Sequence, residues 1–325
     1  MRGLVLVGGE GTRLRPLTLS APKQMLPVAE QPMIERVVGQ LASAGVGSAV
    51  LSLGYRPEAF VAAYPDGVVA GVRVDYAVED QPLGTAGAIA FAAGQAGICD
   101  TFIAANGDVL TDMDLGALVE LHRTRRAEAT IHLVAVPDPS AFGVVSTDES
   151  GAVVEFVEKP APGRAPSNLV NAGTYVLEPS VLELVEPGRP VSIEREVFPI
   201  LAERRSLYAL ASDAYWIDAG TPSQYLRANR DLVGGRRPGP PAPGARLAAP
   251  GVWVVDGARL RGEVAPPSLV GRGAEVSAGA RVVGSCVGCS SSVAAGARVL
   301  DSVLLAGCQV GPGALVEDSI LGEGA

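Results

Sequence analysis

At 325 residues the chain is long enough for two domains and a substantial core. Its formal net charge of −9 argues against a nucleic-acid or anionic-membrane partner, because affinity for phosphate backbones needs clustered Lys and Arg. No apolar stretch approaches the roughly 20 residues that span a bilayer, and no basic-then-apolar leader precedes the first apolar run, so a cytoplasmic protein with no membrane partner is expected.

The first candidate strand, Leu4–Val7, runs into Gly8-Gly9-Glu10-Gly11-Thr12-Arg13-Leu14-Arg15-Pro16. Glycines after a buried strand let backbone N–H groups approach an anion without Cβ atoms in the way. A P-loop would end in Gly-Lys-Ser/Thr where Thr12-Arg13 stands, and a dinucleotide fingerprint would place a third glycine at Leu14. Neither fits, while the two arginines and Pro22-Lys23-Gln24-Met25 add the fixed positive charge that suits a triphosphate.

Pro32 opens a helix whose Ile34, Val37, Val38 and Leu41 fall at helical spacing. Strands are expected at Ala49–Leu53, Arg73–Ala77, Thr101–Ala105 and Thr130–Val136, with Asp114 capping a helix that carries Leu115, Leu118 and Val119. This alternation predicts an α/β, Rossmann-like, mostly parallel sheet that binds ligands at the carboxyl ends of its strands. Extended segments follow at Gly143–Ser146, Val153–Val157 and Gly173–Leu177.

From Gly234 the chain turns rich in Pro and Gly, which reads as a linker over 233–250 between a first domain, 1–232, and a second, 251–325. The second is a hexapeptide repeat with one five-residue member per coil, as in Glu-Val-Ser-Ala-Gly-Ala and Ser-Val-Ala-Ala-Gly-Ala, and predicts a parallel β-helix with Val276, Val282, Val293, Val299, Val310 and Val316 pointing inward. Cys286-x-x-Cys289 lacks a second ligand pair, and the four cysteines, few and unevenly spread, suit a reduced compartment.

The glycine-rich signature with Ala21-Pro22-Lys23, together with Pro82-Leu83-Gly84-Thr85-Ala86-Gly87, Asn106-Gly107-Asp108, Phe142-Gly143, Glu158-Lys159-Pro160, Asn171-Ala172-Gly173 and Trp216-Ile217-Asp218-Ala219-Gly220-Thr221-Pro222, resembles the sugar-1-phosphate nucleotidyltransferases over nearly the whole chain. In wording it is nearest the branch that joins GTP to mannose 1-phosphate. The repeats resemble the left-handed β-helix appended to many members.

The resemblance implies an Mg²⁺-assisted in-line attack by a sugar 1-phosphate on a nucleoside triphosphate, yielding a nucleoside-diphosphate sugar and pyrophosphate. It places Arg13 and Lys23 on the triphosphate and Asp108 and Asp218 on the metal, as the four catalytic residues. Leu6, Gly8, Gly9, Gly11, Thr12, Arg13, Gln81, Gly84 and Thr85 are implied for the nucleotide, and Gly143, Glu158, Lys159 and Asn171 for the sugar phosphate. Thymidylyl or adenylyl transfer to glucose 1-phosphate, transfer to an unusual sugar or cyclitol phosphate, and a catalytically silent regulatory subunit are the alternatives.

His122 follows Leu115, Leu118 and Val119 at helical spacing and reads as a packed residue. The repeats contain no histidine, which points to scaffold rather than acyl transfer there, and a solenoid of so few coils predicts a homo-oligomer, dimer or tetramer, formed in part through 251–325.

Overall fold

The computed structural model describes residues 1–161 and 163–325. They form two compact units, one of Met1–Glu10 with Ile34–Trp216 and one of Gly11–Met33 with Ile217–Ala325, so the boundary falls inside the glycine-rich signature.

The first unit is built on a mixed sheet. Its centre is parallel: β1 (Arg2–Leu6) lies between β2 (Ser48–Leu53) and β4 (Phe102–Asn106), with β3 (Val72–Val78) outside β2. The expected strands 49–53, 73–77 and 101–105 are all here, within a residue or two of their ends. Beyond β4 the sheet turns antiparallel through β8 (Leu169–Leu177), which pairs with β5 (Ala129–Ala135) and with β6 (Gly143–Thr147); β6 pairs with β7 (Val153–Glu158), and β9 (Leu207–Ser212) runs parallel to β5. These antiparallel strands contain the extended segments seen after Val136.

Helix α1 (Met33–Ser43) buries Ile34, Val37, Val38 and Leu41, the four residues at helical spacing. A Cβ at Gly3 would lie 2.9 Å from Leu41 Cδ1, so the glycine sets how closely this helix approaches β1. Helix α2 (Gly84–Gln95) has no counterpart among the predicted helices, because its buried face is mostly Ala86, Ala88, Ala92 and Ala93 and gives no large apolar periodicity. Such small residues let it lie close to the sheet. Helix α3 (Leu115–Arg125) starts where expected, with Asp114 Oδ1 accepting from the Ala117 N–H at 3.1 Å. His122 on α3 is packed, its ring nitrogens facing Thr130 Oγ1 at 2.9 Å and Glu178 Oε1 at 3.0 Å.

In the second unit, α4 (Pro222–Val233) is capped by Thr221 with Pro222 at its first turn. The repeats stack as three parallel ladders, one running through Val254, Val270, Val287 and Leu304, one through Glu275, Ser292 and Gln309, and one through Arg281, Arg298 and Leu315. Val276, Val282, Val293 and Val299 are fully buried, Val310 nearly so, and Val316 packs against them. A serine column accompanies the valines: each of Ser285, Ser302 and Ser319 donates its N–H to the hydroxyl of the serine 17 residues earlier. Within the Pro/Gly-rich stretch, Arg246–Ala249 forms a strand antiparallel to Val252–Val254. All four cysteines are free thiols, and among the described residues no group of three or more His, Cys, Asp or Glu could hold a metal. No helix of the described residues is long and apolar enough to cross a membrane.

Candidate active site

At the carboxyl ends of β1 and β3 opens a cleft of about 420 Å³ lined by Leu6, Gly8, Gly9, Gln81, Gly84 and Thr85. Six of the residues expected on the nucleotide therefore share one pocket. Gly9 takes φ +96°, a backbone that residues with a Cβ rarely adopt. At Gly84 both conformation and space demand glycine, since φ is +72° and a Cβ would lie 2.6 Å from the Val191 carbonyl oxygen. The Thr85 hydroxyl is engaged elsewhere, donating to Glu194 Oε2 at 2.7 Å and accepting from the Ile193 N–H at 2.8 Å.

Glu79 also lines this cleft and was not among the expected residues. It follows β3 directly; the Ser52 hydroxyl donates to its Oε1 at 2.8 Å and the Leu83 N–H to its Oε2 at 3.2 Å. These two bonds fix the carboxylate, and each oxygen keeps a lone pair for a ligand. Its place at the carboxyl end of β3, two residues before Gln81, was the signal available in the sequence.

Asp108 follows β4 in a turn whose Gly107 N–H donates to the Leu6 carbonyl at 2.9 Å, which holds it beside the end of β1.

The residues expected on the sugar phosphate sit on or beside the antiparallel strands. Gly143 on β6 is opposite Glu158 on β7, and a Cβ at Gly143 would lie 2.7 Å from the Phe156 ring and 2.9 Å from Glu158 Oε2. Lys159 Nζ pairs with Glu158 Oε1 at 3.2 Å, and its backbone takes φ +52° with the N–H donated to the Phe142 carbonyl. Asn171 marks an irregularity in β8: its Oδ1 accepts from the Gly173 N–H and its Nδ2 donates to the Tyr175 hydroxyl at 3.0 Å. Burial, aided by the charge of Glu194, pushes the Tyr175 phenol far above its usual range and keeps it neutral. Glu194 itself lies on a π-helical turn, Ile193–Val197, a rare geometry that no sequence pattern announces.

The second unit gathers Gly11, Thr12, Arg13, Lys23 and Asp218. Gly11 takes φ +61°, and a Cβ there would lie 3.2 Å from Lys23 Cβ, so the glycine brings the loop against the lysine. The Thr18 hydroxyl donates to the Gly11 carbonyl at 2.9 Å and closes the loop. Arg13 and Asp218 converge on Gly220, where a Cβ would lie 2.7 Å from Arg13 Nη2 and 2.7 Å from Asp218 Oδ1. Asp218 Oδ1 accepts from the Gly220 N–H at 2.9 Å.

A family model described as nucleotidyl transferase matches residues 2–234, most of the chain. The chain belongs to that family. A second model, GlmU-like C-terminal hexapeptide, matches this nucleotidyltransferase over residues 250–325. Among its relatives, the mannose-1-phosphate guanylyltransferase of Mycobacterium tuberculosis is 45% identical over 87% of this chain and 78% of its own length. The mannose-1-phosphate guanyltransferase of Yarrowia lipolytica is 43% identical over 70% of this chain and 62% of its own length. A solved Bacillus anthracis structure, provisionally assigned as a glucose-1-phosphate thymidylyltransferase, superposes with a TM-score of 0.65 at 27% identity, covering 70% of this chain and 94% of that one.

Proposed function

We propose that this nucleotidyltransferase moves a guanylyl group from GTP to mannose 1-phosphate, giving GDP-mannose and pyrophosphate. The observation that carries the choice of base is Glu79 in the cleft beside Gln81 and Gly84. A carboxylate accepts from the N1–H and the exocyclic amine of guanine. Adenine would turn an unprotonated N1 toward it, and thymine two carbonyls around one N–H, leaving buried acceptors facing one another. The names of the relatives at 43–45% identity favour the same base and supply the sugar.

An oxygen of the sugar phosphate, ionised at neutral pH, attacks the α-phosphorus; the new P–O bond forms as the bond to the β-phosphate bridging oxygen breaks, and pyrophosphate leaves with that electron pair. No general base is needed, so positioning and charge stabilisation supply the catalysis. In this reading Arg13 and Lys23 hold the triphosphate, with Gly11 and Thr12 offering backbone N–H groups. Lys159 takes the acceptor phosphate, and Glu158, Asn171 and Glu194 face sugar hydroxyls. Members of this family typically use a divalent metal. We assign Mg²⁺, for which the hard carboxylates Asp108 and Asp218 are suitable donors: this ion usually takes one or two protein carboxylates and completes its shell with phosphates and water, and among the described residues there is no larger protein cage. When bound, it would offset charge on the phosphates.

We further propose a cytoplasmic homo-oligomer, dimer or tetramer, in keeping with the free thiols and with Leu247 and Leu315 exposed on the repeat unit. The function is tested by following GTP with mannose 1-phosphate: pyrophosphate and a product with the mass of GDP-mannose should appear together, each dependent on both substrates. Glu79→Gln should lower kcat/KM for GTP at least tenfold, about the 1.5–3 kcal/mol carried by a hydrogen bond to a charged group.

A further inference from the structure

We propose that Glu30 is a positioning residue through which the hexapeptide-repeat coils set the geometry of the segment carrying Arg13 and Lys23; the inference rests on the reading that these two cations hold the triphosphate. Glu30 stands at the tip of a hairpin between Pro27–Val28 and Gln31–Pro32, where Ala29 and Glu30 take φ +47° and +67°. Two consecutive residues with Cβ atoms in the left-handed region persist only where their surroundings hold them.

The hairpin is held from both flanks. On one, the nearly fully buried Asn229 of α4 accepts the Ala29 N–H on Oδ1 at 2.8 Å and donates Nδ2 to the Tyr225 carbonyl at 2.9 Å. On the other, the Glu30 carboxylate enters the repeat stack, where Oε1 accepts from the Cys289 N–H at 3.1 Å. The stack is shaped for it. A Cβ at Gly271 would overlap the Glu30 carboxylate, so this glycine leaves the hollow that the side chain fills. Burial pushes the carboxyl up, and the backbone of Cys289 and Arg272 and the Arg272 charge partly oppose that.

The contact passes to the cations through short hydrogen-bonded steps. Below the hairpin the Met33 N–H donates to the Leu26 carbonyl at 3.2 Å, the Leu26 N–H to the Lys23 carbonyl at 3.1 Å, and Lys23 packs on Gly11, next to Thr12 and Arg13. Loss of the carboxylate, or of its hollow, would free the hairpin and with it the register of Lys23.

The test compares Glu30→Ala, Glu30→Gln and Gly271→Ala with Arg13→Ala in steady-state assays of the full chain, folding being checked by thermal melting. Glu30→Ala and Gly271→Ala should raise KM for GTP several-fold with KM for mannose 1-phosphate unchanged. Glu30→Gln, which keeps an acceptor for Cys289, should recover part of the loss. If Glu30→Ala does not fold, Glu30→Asp, one methylene too short for the hollow, carries the same expectation. An Arg13→Ala variant with normal KM for GTP would refute the triphosphate reading itself. Should Arg13→Ala raise that KM while the folded Glu30 and Gly271 variants do not, or while they weaken both substrates equally, the positioning role is overturned.

Discussion

At the scale of single residues, removal of individual charges should have separable effects. Asp108→Asn keeps the shape of a partly exposed turn residue and removes one negative charge. It should therefore leave the melting temperature near that of the unmodified chain while turnover falls by several orders of magnitude, and activity within tenfold of normal would exclude Asp108 as a metal carboxylate. If Arg13 and Lys159 divide the substrates as proposed, Lys159→Ala should raise KM for the sugar phosphate far more than KM for the triphosphate, and Arg13→Ala the reverse, with a lower kcat. Interchanged or indistinguishable profiles would contradict this division of roles. His132 gives a stability signature. Buried in β5 with Nε2 facing Ser212 Oγ at 2.7 Å, it has its pKa lowered by burial to about 4, against 6.5 for the free side chain. The folded state thus binds the proton less well than the unfolded one, so the contribution is intact above pH 6.5 and is lost as the pH falls toward 4. The loss should be of the order of 3 kcal/mol, and denaturant melts of His132→Gln should show a flatter stability profile across that window.

Among the elements, those with one-sided apolar patterns were legible and those organised by small residues or distant partners were not. Strands β1 to β5 and helices α1 and α3 follow from apolar runs, helical spacing and the Asp114 cap. Helix α2 escaped because alanine gives little contrast between its faces. The antiparallel strands are legible as extended segments, and the irregularity at Asn171 is not, because it depends on Tyr175 and Gly173 closing around the side chain. Glu79, Glu194 and Glu30 stayed hidden for a shared reason: each has a partner 27, 109 or 259 residues away, respectively, beyond any periodic pattern. The start of α2 offers a test of element placement. Gly84→Ala forces a Cβ toward the Val191 carbonyl, and should destabilise the fold by more than about 1 kcal/mol and weaken nucleotide binding together, measurable by melting and by GTP titration.

For the whole molecule, the residues read as chemical all precede 232, yet the segment Gly11–Met33 belongs to the same compact unit as the repeats. The texture of the sequence separates the repeat from the rest at the Pro/Gly-rich stretch, since composition changes there. It does not reveal that Glu30 is received by Gly271 and Cys289. A chain cut after residue 250 should consequently show a raised KM for GTP as well as a lower oligomeric state by light scattering; an unchanged oligomer would refute the assembly role, and an unchanged KM would refute the support that the coils lend to the loop. The central claim is guanylyl transfer to mannose 1-phosphate, and its most direct measurement is kcat/KM for pyrophosphate release across GTP, ATP, UTP and dTTP, each paired with mannose, glucose and galactose 1-phosphates. The account predicts the highest value for GTP with mannose 1-phosphate, at least tenfold above any pair lacking guanine; a preference for dTTP or ATP with glucose 1-phosphate, or no pyrophosphate from any pair, would contradict it.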